Sequence, residues 1–329
     1  MEQRPLKKFI VITSIFKPSE AIEKFSALKD YHLVVVGDKK NIAGWEYNNC
    51  TFLNVDAQTT LAPSLANAIP FNNYGRKMIG YIYAMQQGAD IIIDTDDDNI
   101  PCDDWAFPSF EDNFITSKND LGWVNIYHYF TEQAIWPRGL PLKNINDRRD
   151  KLQWQKDKQH HRIGIWQGLA NGDPDVDAIY RLTSNTPCTF DKKEPVVLEK
   201  GTVSPFNSQN TAILKELLPL FFLPSFVTFR FTDILRGIVA QPILWQQGFR
   251  LGFTKATVLQ KRNEHDYFSD FESEVPMYLH IEKSLEAVRK SIVNGSVADN
   301  LFNAYEALLK INVIDKREMT LLKEWLKVF

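Results

Sequence analysis

Blocks of apolar and polar residues alternate along the first hundred positions in the order strand, helix, strand. Residues 9–15 (FIVITSI) predict a first strand that gives way to the polar pair Thr13-Ser14. Pro18-Ser19-Glu20 then opens a helix through about Lys29, with Ile22, Phe25 and Leu28 on one face. Leu33 to Val36 predict a second strand, stopped by Gly37-Asp38, and residues 51–55 a short third. Residues 74–88 have helical spacing and close on Gly88 as the residue past the helix end. Ile91-Ile92-Ile93 follows at once, an apolar run of the kind found in parallel strands covered on both faces. This order is that of a parallel, doubly wound sheet of the nucleotide-binding type.

The pattern changes after about residue 105. Helical periodicity weakens, prolines and aromatics increase, and short extended runs are predicted at 123–129 and 196–198. Residues 143–162 are very polar and predict an exposed, mobile loop or irregular helix. Segment 209–223 reads as a helix ending before Pro224, and 232–247 as another despite Gly237 and Pro242. From 279 onward the spacing is helical: Ile281, Leu285, Val288 and Ile292, then Leu301, Tyr305, Leu308 and Leu309, then Met319, Leu322 and Trp325. Asn294-Gly295 interrupts the first of these helices.

Composition narrows the class. The 329 residues are 44% hydrophobic and 24% charged, which is globular composition. A net charge of −3 supplies no basic footprint, so a nucleic-acid polymer is not an expected partner. Cys50, Cys102 and Cys188 are widely spaced, form no metal-type pair and fit a reducing compartment. Lys7-Lys8 before Phe9-Ile10-Val11-Ile12 mimics a signal peptide, but the run is too short to span a membrane and no cleavage site follows. The expected location is therefore cytoplasmic, with peripheral membrane association left open. The sequons at Asn49 and Asn294 mean little without a secretory signal.

The chemistry concentrates where Ile91-Ile92-Ile93 runs into Asp94-Thr95-Asp96-Asp97-Asp98. Four carboxylates so close repel one another unless a cation offsets them. Their place past the end of a buried strand is where open α/β sheets bind ligands. Hard oxygen ligands suit Mn²⁺ or Mg²⁺, which would bridge a nucleotide's phosphates. Asp96 with Asp98 is the expected metal pair, and Asp94 with Asp96 is the alternative frame. In the first frame Asp94 faces the ribose or braces the turn, while Asp97 either points outward or joins the nucleotide side. Arg76 and Lys77, at the start of the preceding helix, are expected to neutralise or orient a diphosphate. Thr13 and Ser14, ending the first strand, are expected to touch the base or ribose.

The passage Tyr74-Gly-Arg-Lys-Met-Ile-Gly-Tyr-Ile-Tyr-Ala-Met-Gln-Gln-Gly-Ala-Asp-Ile-Ile-Ile-Asp-Thr-Asp-Asp closely resembles the glycosyltransferase-like domain of the STELLO proteins. So do Val36-Gly37-Asp38 with Gly44-Trp45, Trp136-Pro-Arg-Gly-Leu-Pro-Leu142, Ile165-Trp-Gln-Gly-Leu and Asp173-Pro-Asp-Val-Asp-Ala. The layout is more distantly similar to the plant reversibly glycosylated polypeptides, the UDP-arabinopyranose mutases. The resemblance covers roughly residues 8–270 and implies an α/β fold of GT-A type: a Rossmann-like nucleotide-sugar-binding sheet, an acceptor-side α+β region and a helical C-terminal tail. The implied division is 1–275 for the glycosyltransferase-like domain, with a nucleotide-binding half over 1–104 and an acceptor half over 105–275. Residues 276–329 would form the extension.

That resemblance carries further expectations. Asp38 would accept a hydrogen bond from the imide of a uracil ring. His265 would be a third metal ligand, with Lys261 and Arg262 within reach of phosphate. Asp233 would be the general base, which must take a proton from the acceptor hydroxyl. Trp136, Arg138, Trp166, Asp173, Asp175 and Asp177 are candidates for acceptor or sugar contacts, Arg138 among the donor-binding set. The implied activity is metal-dependent transfer from a nucleotide sugar, a UDP-sugar by analogy, to an unknown glycan, lipid or protein acceptor, by a monomer or a homo-oligomer. The alternatives are a UDP-sugar mutase and a non-catalytic scaffold of a polysaccharide synthase complex.

Overall fold

The computed structural model describes residues 4–41, 47–184, 186–261 and 266–329. Its sheet starts with β1 (Lys8–Thr13), followed by α1 (Glu20–Ser26), β2 (Tyr31–Val36) and β3 (Cys50–Leu53). The short helices α2 (Val55–Leu61) and α3 (Pro63–Ala68) come next. Neither is visible as an apolar period. The first is set by the Asn54 cap, which accepts from the Ala57 N–H at 2.8 Å, and the second by Pro63 at its first turn. A 3-10 turn (Tyr74–Arg76) leads into α4 (Lys77–Gln86), and Gly88, at φ +78°, ends it. Then comes β4 (Ile91–Thr95).

These four strands are parallel, in the order β3-β2-β1-β4. Alternate side chains of β1 serve opposite faces. Phe9 and Val11 pack with Met78, Ile79 and Ile82 of α4, whereas Ile10 and Ile12 pack with Ile22 and Phe25 of α1. Helix α4 lies so close to the sheet that a Cβ at Gly80 would come within 2.5 Å of Val11 and 2.7 Å of Val36. The acidic turn after β4 is therefore held from below by a tightly seated helix.

The second half adds β5 (Asn99–Pro101), β6 (Glu111–Thr116), β7 (Gly122–Trp123), α5 (Tyr127–Phe130), β8 (Gln159–Asn171) and α6 (Ala178–Thr183). After them come β9 (Val196–Leu198), β10 (Thr202–Val203), β11 (Asn210–Leu214), α7 (Thr232–Gln246) and β12 (Arg250–Gln260). The main sheet has ten strands in the order β3-β2-β1-β4-β11-β8-β6-β9-β12-β5, with β8 also paired to β12. Strand β11 enters antiparallel between β4 and β8, so the sheet is mixed. The α/β class with a GT-A-like layout, read from the sequence, is thus what the chain adopts.

Three local expectations are corrected. Residues 209–223 are not a helix. They are β11 followed by a 3-10 turn over Lys215–Phe221, because Ala212 and Ile213 are covered by strands on both sides. Leu217, Leu218 and Leu220 gave the segment a false helical period, and Pro219 cannot donate to an α-helical ladder. The run 123–129 is not extended: only Trp123 is in a strand, and Tyr127 opens α5. The polar segment 143–162 ends as strand, with Gln159 to Arg162 paired to β6.

The C-terminal tail is three helices, α8 (Tyr267–Ser291), α9 (Val297–Lys310) and α10 (Lys316–Leu326). The Asn294-Gly295 interruption lies between the first two. The expected division between 275 and 276 falls inside α8. Met277, Ile281, Leu285, Leu301, Tyr305, Leu322 and Trp325 are buried in the same apolar cluster as α4. Trp325 Nε1 donates to the Pro219 carbonyl at 2.9 Å. Among the described residues no helix is long and apolar enough to cross a membrane.

Candidate active site

The C-terminal ends of β1, β2 and β4 open onto a cleft of about 360 Å³. Its near wall carries Thr13, Ser14, Asp38 and Asn73; its floor is Asp96, Asp97 and Asp98; its far wall is Arg138, Asp175, Phe229, Arg230 and Asp233. The two walls come from separate stretches of sequence, residues 13–73 and 138–233. They meet because β11 and α7 pack beside β4.

The acidic turn divides into two environments. Asp94 is fully enclosed, with Oδ1 2.7 Å from Lys77 Nζ and Oδ2 2.7 Å from Arg236 Nη1. It does not line the cleft, so the expected ribose contact is corrected to the bracing role, and the Asp94–Asp96 metal frame loses one member. Lys77 is equally enclosed. It donates to Asp96 Oδ1 at 2.9 Å, the Thr95 carbonyl at 2.7 Å and the Tyr74 hydroxyl at 2.8 Å. Burial alone would lower the Lys77 pKa, but Asp94 and Asp96 overcome it and hold the ammonium above its ordinary value. Its expected place on a diphosphate is therefore corrected: it is a fixed strut under the acidic turn.

Asp96, Asp97 and Asp98 are only partly buried and face the cleft. Asp96 Oδ1 also accepts from the Tyr74 hydroxyl at 2.7 Å. Asp97 Oδ2 accepts from Ser14 Oγ at 2.5 Å, which points it inward. Asp98 Oδ2 accepts from Gln260 Nε2 at 3.0 Å, while its buried Oδ1 has no hydrogen-bond partner among the described residues. Burial raises all three pKa values, and for Asp98, with Asp96 adding repulsion, the value reaches about 7. An orphaned carboxylate oxygen beside two like charges fits a divalent ion held by Asp96 and Asp98. Among the described residues no three acidic, histidine or cysteine side chains form a closed cage. Two carboxylates plus substrate phosphates and water are a usual Mg²⁺ complement. His265, expected as third ligand, lies outside the described residues, as do Gly44, Trp45 and Arg262.

Arg76 reaches the cleft edge but is largely committed elsewhere. Nε donates to Gln58 Oε1 at 2.7 Å, and Nη1 donates to the carbonyls of Ala66 and Ile69 at 3.2 and 3.3 Å. Gln58 in turn bonds the carbonyls of Gly37 and Leu53 at the ends of β2 and β3. The arginine thus ties down the wall below Asp38, and only its buried Nη2 lacks a partner. Asp38 lines the cleft and accepts from the Asn73 N–H at 3.3 Å. Thr13 lines it at the end of β1.

On the far wall Arg138 grips Asp175 with two bonds of 2.7 Å, reaches Asp233 at 3.0 and 3.1 Å, and donates to the Arg230 carbonyl. These carboxylates outweigh burial and hold Arg138 well above its ordinary pKa. The Asp175 carboxyl, although buried, is held below its usual value by Arg138. Of the other expected contacts, Trp136 donates to Asp177 at 2.8 Å, and Asp177 caps α6 through the Tyr180 N–H at 2.9 Å. Trp166 is in the core, and Asp173 pairs with Arg181. None of these four lines the cleft. Lys261 pairs with Glu20 at 2.9 Å on the surface.

Sequence reasoning gave no role to Arg236, Arg230, Phe229, Gln260 or Asn73. Arg236 had a signal: an arginine flanked by Leu235 and Ile238 in an apolar helix implies a buried partner. The amides had none, since only the packing of β12 and the 3-10 turn brings them here.

No family model matches the chain. It is 28% identical over 284 residues to the probable glycosyltransferase STELLO2 of Arabidopsis thaliana, covering 80% of this chain and 37% of that protein. With the probable glycosyltransferase STELLO1 of the same plant the identity is 29% over 261 residues, covering 74% of this chain and 34% of that one. The chain thus spans only about a third of the length of these relatives. Within that span it is similar to the STELLO proteins, the resemblance that the block around residues 74–98 carries.

Proposed function

We propose that this chain is a glycosyltransferase whose cleft binds a nucleotide sugar, a UDP-sugar in the first instance, together with Mn²⁺ or Mg²⁺. The observation that carries the reading is Asp98: a buried carboxylate oxygen without a donor among the described residues, on a turn of three raised-pKa aspartates past the end of a parallel strand. The naming of the similar plant proteins as probable glycosyltransferases supports it. In this reading Asp38 accepts the imide N–H of uracil and Thr13 meets the base or ribose. Asp96 and Asp98 hold the ion, which when bound would offset charge on the departing diphosphate. Lys77 and Tyr74 keep the Asp96 carboxylate in place. Asp233, oriented by Arg138 and the Ser208 N–H at 3.2 Å, takes the proton of the acceptor hydroxyl.

Calorimetric titration with UDP tests this directly. Wild type should bind UDP only when Mn²⁺ is present, and the double variant Asp96→Asn/Asp98→Asn should lose at least about tenfold in affinity, the scale of one charge-assisted contact. Unchanged affinity in the double variant would reject the reading. Release of UDP from a UDP-sugar by wild type, lost in Asp233→Asn, separates an enzyme from a scaffold that only binds.

A further inference from the structure

The geometry points to a carbohydrate-ring subsite on the 3-10 turn Phe229–Phe231, so that the acceptor of the proposed reaction is itself a glycan. The inference rests on the glycosyltransferase reading and adds the class of its second substrate.

Phe229 is 62% exposed, whereas its neighbours Arg230 and Phe231 are buried. Its ring stands at the cleft wall, 5.8 Å from Tyr74 and nearly perpendicular to it. An exposed phenyl group on a slack loop would mean nothing, but the segment Ser225–Phe231 that carries it is clamped from three sides. Glu274 of α8 takes Arg230 at 2.9 Å and the Ala178 N–H at 2.7 Å. Glu318 of α10 accepts the N–H groups of Ser225 and Phe226 at 2.9 and 2.8 Å. Asn73 Nδ2, from the opposite wall, donates to the Ser225 carbonyl at 3.1 Å. Both glutamates are fully buried. The C-terminal helices therefore spend two buried carboxylates on holding in place a turn that presents an apolar face to solvent.

What surrounds that face decides the ligand class. Asp175, Asp233, Arg138 and Arg230 line the same wall. A sugar ring matches this mixture: its hydroxyls bond carboxylates and guanidinium groups, and its C–H face lies on an aromatic ring. A lipid chain would need a continuous apolar channel. Among the described residues the cleft's aliphatic lining is Ile15 and Val36, both on the proposed nucleotide side.

Saturation-transfer NMR with cello-, xylo- and galacto-oligosaccharides, recorded with the full chain in UDP and Mn²⁺, tests the assignment. Ring protons of at least one oligosaccharide should saturate. Phe229→Ala should weaken that binding about five- to tenfold, the scale of one aromatic contact, and Phe229→Trp should preserve it. Glu318→Gln should weaken it too, through the loosened turn. UDP affinity in Phe229→Ala should stay within about twofold of wild type. An equal loss of UDP affinity would assign Phe229 to the donor and overturn the inference. So would the absence of any oligosaccharide signal while UDP still binds with Mn²⁺, which leaves the transferase reading standing. Failure of UDP to bind would instead remove that reading, and this one with it.

Discussion

Asp94 and Asp98 sit four residues apart on one turn and live opposite lives. Asp94 is sealed between Lys77 and Arg236, with an ion pair of 2.7 Å on each oxygen. Asp98 has one amide donor and one buried oxygen with none among the described residues. A buried charge is tolerated only when paired and hydrogen-bonded. Asp94 has a cation against each oxygen, although its Oδ1, like that of Asp98, forms no directed hydrogen bond among the described residues, and it is part of the scaffold. Asp98 is not so paired among the described residues, and the proposed cation would supply the missing partner. Identical side chains in one acidic run thus divide into structure and site according to which cations the fold delivers.

The largest effect should come from breaking the satisfied end. Arg236→Met or Lys77→Met leaves Asp94 with an uncompensated buried charge and should cost about 3–5 kcal/mol in denaturant unfolding. A loss below about 1 kcal/mol would dissolve the contrast between the two aspartates. The opposite sign is expected at the unsatisfied end. Asp98→Asn removes a charge held at high cost and should raise metal-free stability by about 1 kcal/mol at alkaline pH, while weakening Mn²⁺-dependent UDP binding. Destabilisation there would show that Asp98 is structural after all.

The remaining effect is a pH slope. Asp98 and Glu318 are both raised to about 7 by burial, from ordinary values near those of free carboxylates. The folded chain holds their protons where the unfolded chain has lost them. Their contribution to stability is therefore complete below the unfolded pKa and fades as pH rises through the folded one. The melting temperature without metal should fall between about pH 5 and about pH 7. Glu318→Gln should flatten that slope by its own share, and Mn²⁺ should flatten the Asp98 share by replacing the proton with a cation. A flat profile in wild type would contradict both assignments.

The sequence alone determined the first half: the strands read at 9–15, 33–36 and 91–93, which are β1, β2 and β4, the helix closed by Gly88, and the acidic turn set past a buried strand. These signals are local, since a two-faced apolar strand and a left-handed glycine carry their structure in a few neighbouring residues. Strand β11 was misread as helix because it is a strand only by virtue of β4 and β8 beside it. Which aspartate is scaffold and which faces the cleft was equally invisible, because Arg236, Gln260 and the turn of Phe229 arrive from far along the chain. Burial and ion pairing are properties of the packed molecule, and only tertiary structure assigns them.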